Sequence, residues 1–260
     1  MNAKILSETL LHSTILIECT DGVHISCGTG FFFLFSTKDP KHKIPVIVTN
    51  KHVVQGATKG KLIFHLCNDE KKYIPGKKFE YHIEHFEQAW ILHPDKNVDL
   101  CVFQLSMFYE EYKPPVGDIY VKYLTEDYIL NKNDLANISH IEDVTIVGYP
   151  DGLSDTKNNL PLVRRGITAS SLHYDFNGSS TFLIDAAIFP GSSGSPVYLY
   201  NTGTFPVKLA GINYAVANHT IIGKVISDNS SISKNIEIRI PNGLGVAIHA
   251  RKLLDFKEIL

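Results

Sequence analysis

The chain has 260 residues, of which 44% are hydrophobic and 20% charged, the composition of a globular protein long enough for one large domain or two small ones. A formal charge of -2 excludes an overall positive field, so neither nucleic acid nor an acidic membrane is expected as a partner. No run of about 18 apolar residues occurs, which excludes a transmembrane helix.

The first 20 residues mix Lys4, Glu8, His12 and Glu18 into an apolar background. They lack the continuous apolar core and small-residue cleavage site of a signal peptide. Residues 2–11 fit a short helix. Strand signals then dominate, as short runs rich in Val, Ile, Thr, Phe and Tyr at 13–19, 30–35, 46–49, 61–66 and 100–105. A polar stretch, 124–140, is broken by Asn131, Asn133 and Asn137 and reads as a linker with short helical turns. A second group of strands follows at 144–147, 166–170, 182–185, 197–200 and 207–212. Residues 228–234 form the most loop-like segment near the end. Residues 249–259 place Leu253, Leu254, Phe256 and Ile259 against Arg and Lys, as in an amphipathic helix. Spacing of this kind suggests an all-β barrel or sandwich, divided into 1–115, a linker at 116–140, and 141–260.

Cys19, Cys27, Cys67 and Cys101 fit no zinc spacing, and each sits among strand-like apolar residues. Four buried free thiols are expected. Together with the unremarkable N-terminus they point to a cytoplasmic location. His82, Glu84 and His85 match no metal-binding pattern and read as a solvated strand face. Lys71-Lys72 and Lys77-Lys78 flank Pro75-Gly76 and read as exposed hairpin ends. Arg164-Arg165 reads as a surface pair, with substrate contact or autolysis as the alternatives.

The segment Gly191-Ser192-Ser193-Gly194-Ser195-Pro196 carries the strongest chemical signal. Acyl transfer needs a hydroxyl on a tight turn and two backbone N–H groups aimed at the developing oxyanion. Taken alone, the hexapeptide also fits an ordinary turn. His52 follows a strand-like run in Thr49-Asn50-Lys51-His52-Val53. Asp99 directly precedes the apolar run Leu100-Cys101-Val102-Phe103, where burial would let it orient an imidazole. Asp95 is a nearby rival, but no strand directly follows it.

The order His, Asp, Ser resembles that of chymotrypsin-like proteases, and the details resemble bacterial trypsin-like peptidases and the protease domain of the HtrA family. The motifs that carry the resemblance run in order: Gly28-Thr29-Gly30-Phe31, Thr49-Asn50-Lys51-His52-Val53, Asp99-Leu100-Cys101-Val102, Gly148-Tyr149-Pro150, Gly166-Ile167-Thr168-Ala169, Asp185-Ala186-Ala187-Ile188 leading into Pro190-Gly191-Ser192-Ser193-Gly194, and the pair Gly211-Ile212-Asn213 and Gly243 to Ile248.

The resemblance implies two six-stranded antiparallel Greek-key barrels with a C-terminal helix. It also implies a serine endopeptidase that acts on protein or peptide substrates through His52, Asp99 and Ser193. The amides of Gly191 and Ser193 would form the oxyanion hole, with no metal or organic cofactor. Ala187, Ile188, Gly211, Ile212, Asn213 and Tyr214 would line the substrate pocket. With Ala187 at the position of the trypsin carboxylate, an apolar residue such as Ala, Val, Leu or Ile is expected before the cleaved bond, although His249 could reach the pocket. The alternative is a partner-activated or catalytically silent binding or sensor protein on the same fold.

Three departures stand out. Ser192 replaces the Asp that trypsins pair with a newly made N-terminus, so activation of that type is not expected. Val53 stands where secreted trypsins have the disulfide partner of Cys27. No PDZ domain follows Ile259, so a stand-alone peptidase domain is expected.

Overall fold

The computed structural model describes residues 3–39, 41–112, 118–200, 207–226 and 233–260. A helix, Ala3–His12, precedes the strands. The first nine strands are β1 (Thr14–Thr20), β2 (Ile25–Ser36), β3 (Lys43–Thr49), β4 (Lys59–Cys67), β5 (Tyr73–Glu84), β6 (Ile91–Leu92), β7 (Cys101–Gln104), β8 (Asp118–Tyr120) and β9 (Leu124–Thr125). They form one open sheet in the order β5-β4-β1-β2-β3-β7-β6, with β8 paired to β4 and β9 parallel to β2. The remaining six are β10 (Asp143–Gly148), β11 (Leu162–Thr168), β12 (Thr181–Ala186), β13 (Pro196–Tyr200), β14 (Val207–Ile226) and β15 (Ser233–His249). These close into a barrel in the order β10-β11-β12-β15-β14-β13.

The expectation of two six-stranded barrels is therefore corrected to one closed barrel and one open nine-stranded sheet. Closing the first sheet would require β6 to pair with β5. The chain between them instead makes a 3₁₀ turn, Phe86–Ala89. The amides of Phe86 and Glu87 in that turn donate to the carbonyls of Thr58 and Ala57. β6 is two residues long, and Pro94 soon after it has no N–H to extend a ladder. The free edge of β5 carries Lys77, Lys78, Glu80, His82 and Glu84, charged and polar groups that discourage pairing with another chain.

Side chains along β2 alternate between two cores, as a period of two demands. Phe31, Phe33 and Phe35 face the core shared with the barrel, which includes Tyr198, Leu209, Ile212 and Ile248. Phe32 faces the other way, onto Ile47 and Phe64. Burial of each such ring contributes roughly 2–3 kcal/mol, so the shared core locks sheet and barrel together along one seam.

The expected C-terminal helix is also corrected. Residues Ala250–Glu258 form a 3₁₀ helix in which Ala250, Leu253 and Phe256 are the buried side chains. Their spacing of three matches three residues per turn. Leu254 and Ile259 remain exposed. Part of the loop-like 228–234 segment lies outside the described residues. Among the described residues no helix is long and apolar enough to cross a membrane.

Candidate active site

Three segments converge at the seam between sheet and barrel. β3 ends at Thr49, and Asn50 starts the short helix Lys51–Val54, which holds His52. Asp99 lies two residues before β7, with Val98 and Leu100 buried on either side. Ser193 sits in the turn before β13.

His52 Nδ1 lies 2.5 Å from Asp99 Oδ2, and His52 Nε2 lies 2.8 Å from Ser193 Oγ. Asp99 Oδ1 also accepts the His52 backbone N–H at 3.1 Å. The Asn50 side-chain amide donates to the Asp99 carbonyl at 2.7 Å, fixing the strand end against the helix. Burial alone would raise the Asp99 carboxyl. The hydrogen bond and charge of the His52 ring, with the amides of His52 and Lys51, more than offset that and hold it below the ordinary carboxylate range. The rival Asp95 instead accepts the Asn97 amide in a surface turn.

The turn carrying Ser193 is held through its carbonyls. Pro190 O accepts the Asp151 amide at 2.6 Å, Gly191 O the Thr29 hydroxyl at 3.1 Å, and Ser193 O the Thr29 amide at 2.9 Å. Ser192 O accepts the Asn213 side-chain amide at 3.1 Å and the Ser195 amide at 3.0 Å. With the carbonyls drawn inward, the amides of Gly191 and Ser193 donate to no group among the described residues. Gly191 has φ +77°, and a Cβ there would lie 2.7 Å from Tyr149 O. Gly194 has φ +84°, and a Cβ there would lie 1.9 Å from Thr29 O. Only glycine fits either position.

Of the expected pocket residues, Ile188 and Asn213 come together beside Gly245, but both are buried, Ile188 in the barrel core. Ala187 is exposed at the start of the turn. Tyr214 lines a cleft of about 460 Å³ with Asp95, Asp99 and residues 178–181. Ile212 does not reach the pocket, since its side chain lies in the core shared by sheet and barrel. Gly211 lies under the Phe182 ring. His249 packs on Phe182 beside Asp175.

Sequence reasoning missed Thr29 and Arg164. The Thr29 hydroxyl both donates to Gly191 O and accepts the Tyr149 amide, while its carbonyl accepts the Thr49 hydroxyl at 2.7 Å. The motif Gly28-Thr29-Gly30 flagged the position but not this role. Arg164 is not part of a surface pair: its Nη1 donates to Ala187 O at 2.7 Å and to Ser192 Oγ at 2.9 Å. Arg165 is the exposed member and pairs with Asp143. His82 is likewise exposed, near Glu80, and no cluster of metal-ligating side chains occurs among the described residues.

The profile of the trypsin-like peptidase domain matches residues 28–205. No curated protein matches the sequence. The HtrA-type protease AlgW, solved with a tripeptide, is similar at 18% identity and a TM-score of 0.53, over 99% of this chain and 63% of that one. A serine endoprotease from Yersinia pestis is similar at 19% identity and a TM-score of 0.51, over 99% and 66%. Tobacco etch virus protease is similar at 10% identity and a TM-score of 0.55, over 96% and 79%. At these identities the likeness is one of fold, and the chain spans less than two thirds of the HtrA-type structures. These likenesses carry no location, and the expectation of a cytoplasmic one, which rested only on free thiols and the N-terminus, is withdrawn.

Proposed function

The chain belongs to the trypsin-like peptidase domain family, and from that premise we propose that it is a serine endopeptidase whose nucleophile is Ser193. The observation that carries the proposal is the unbroken line of hydrogen bonds from Ser193 Oγ through the His52 ring to Asp99. In this reading His52 Nε2 takes the hydroxyl proton as Ser193 Oγ attacks the peptide carbonyl. Asp99 keeps Nδ1 protonated and stabilises the imidazolium that forms. The amides of Gly191 and Ser193 receive the oxyanion. His52 then returns the proton to the leaving amine, and water releases the acyl group by the reverse sequence. The chemistry uses no cofactor.

The substrate is a protein or peptide chain. Ala187, at the position that resembles the trypsin carboxylate, carries no charge, which favours Ala, Val, Leu or Ile before the cleaved bond, each buried methylene contributing about 0.8 kcal/mol. The alternative, a silent binding protein or one that waits for an activating partner, draws no support from this geometry, since His52 bridges Asp99 and Ser193 and both oxyanion amides are unengaged among the described residues. Digestion of an unfolded protein, with sequencing of the product ends, tests the proposal. Wild-type protein should cut after apolar residues, and Ser193→Ala and His52→Ala should each lose about 10⁶-fold in kcat. Undiminished cutting by either variant would refute the assignment, and cuts confined to Lys, Arg, Asp or Glu would refute the pocket reading.

A further inference from the structure

Arg164 extends from β11 beneath the turn that carries Ser193. Among the described residues it forms no ion pair, and its Nε and Nη2 are buried without a hydrogen-bond partner. Burial lowers its pKa from the ordinary guanidinium value, and the Asp151 charge opposes that only in part. A desolvated, unneutralised cation is costly to the fold. Its one engaged nitrogen reaches two points of the same turn: Ala187 O, where the turn begins, and Ser192 Oγ, between the two oxyanion amides. Ser192 Oγ also lies 3.3 Å from the Phe189 amide, which donates to it. The guanidinium thus holds both ends of a segment whose middle carbonyls are fixed by Asp151, Thr29 and Asn213.

We propose that Arg164 is a positioning residue for the oxyanion hole. It pins residues 187–192 from behind, so that the Gly191 and Ser193 amides stay turned toward the substrate. Ser192 is neutral, so the positive charge of Arg164 is not cancelled by its partner, and the field it leaves at the turn favours an oxyanion. Nη1 alone bridges the carbonyl and the hydroxyl, so a Lys ammonium that reached the same point would keep the charge and part of the contact. The proposal rests on the endopeptidase reading above and adds to it a preformed, cation-backed hole.

The test compares Arg164→Gln, Arg164→Lys and Arg165→Gln with the wild type. The measurements are kcat and KM on a peptide substrate, affinity for a peptide aldehyde whose hemiacetal oxygen enters the hole, and the thermal midpoint. Arg164→Gln should lower kcat about 10²-fold, the cost of losing one oxyanion donor. KM should change only a few-fold, and aldehyde affinity should fall in step with kcat. Arg164→Lys should recover part of both, and Arg165→Gln should match the wild type. If Arg164→Gln does not fold, Arg164→Lys alone decides: reduced kcat at unchanged KM supports the proposal, and wild-type kcat overturns it. A lower thermal midpoint with undiminished kcat per folded molecule also overturns it, leaving Arg164 a purely structural residue. If the wild type itself neither cleaves peptide nor reacts with a fluorophosphonate, the endopeptidase reading fails first and this proposal falls with it.

Discussion

Asp99 holds His52 at two points: Oδ2 lies 2.5 Å from the ring Nδ1, and Oδ1 accepts the backbone N–H of the same residue at 3.1 Å. One carboxylate therefore sets both the position of the helix turn and the tautomer of the ring. An amide in its place would keep one acceptor for the backbone and turn a donor toward Nδ1. The proton would move to Nε2, and the ring could no longer accept one from Ser193. Asp99→Asn should keep the fold and lose about 10⁴-fold in kcat. Asp95→Asn should be near wild type. Steady-state kinetics of the two variants checks this, and the reverse ranking would transfer the role to Asp95.

Thr29 should matter to turnover although it touches neither His52 nor Asp99. Its hydroxyl joins Gly191 O to the Tyr149 amide inside the protein. Thr29→Val leaves both groups without that partner, at roughly 1–3 kcal/mol of stability. It should also lower kcat about 10-fold or more by loosening one oxyanion donor. Thr29→Ser, which keeps the hydroxyl, should restore most of it. Equal kcat for the Val and Ser variants would contradict the role.

Stability should decline on mild acidification. Burial lowers His12 to about 4, His65 to about 3 and His249 to about 4. In the unfolded chain these rings titrate near the ordinary value of about 6.5. Above that pH they are neutral in both states and contribute no pH dependence. Below it the unfolded chain takes up protons that the folded chain refuses, and unfolding becomes easier until the folded values are reached. Down to pH 4.5, about two units below the unfolded value, each ring costs the fold roughly 2–3 kcal/mol. Urea midpoints should fall steadily from pH 7 to pH 4.5; a flat profile would show that the rings are hydrated.

Most of the barrel, and the meeting of His52, Asp99 and Ser193 in space, were legible because short apolar runs and turn residues alternate plainly there, and because the motifs around these residues stand in a recognisable order. β5 was hidden by Pro75, Gly76 and the Lys pairs, which read as a turn; an edge strand tolerates both proline and charge, so local chemistry pointed the wrong way. The open sheet was illegible for a similar reason, since closure depends on where two distant strand ends meet and not on any run of residues. Arg164 looked like surface because its neighbour Arg165 is; strand alternation sends the two side chains to opposite faces, and no sequence pattern says which one goes in.

All four cysteines are unpaired. Thiol titration under denaturing, non-reducing conditions should count four. In the native protein only the half-buried Cys27 should react, and slowly at neutral pH, because burial and the nearby Glu18 charge raise its pKa. A denatured count of two or zero would contradict the structure.

The central claim is that His52 activates Ser193. A fluorophosphonate probe reacts with an activated serine hydroxyl whatever the natural substrate is, and peptide mapping then locates the label. The account predicts a single label on Ser193, abolished in Ser193→Ala and reduced to background in His52→Ala. No labelling of the wild type, or labelling of Ser193 that persists in His52→Ala, would contradict it.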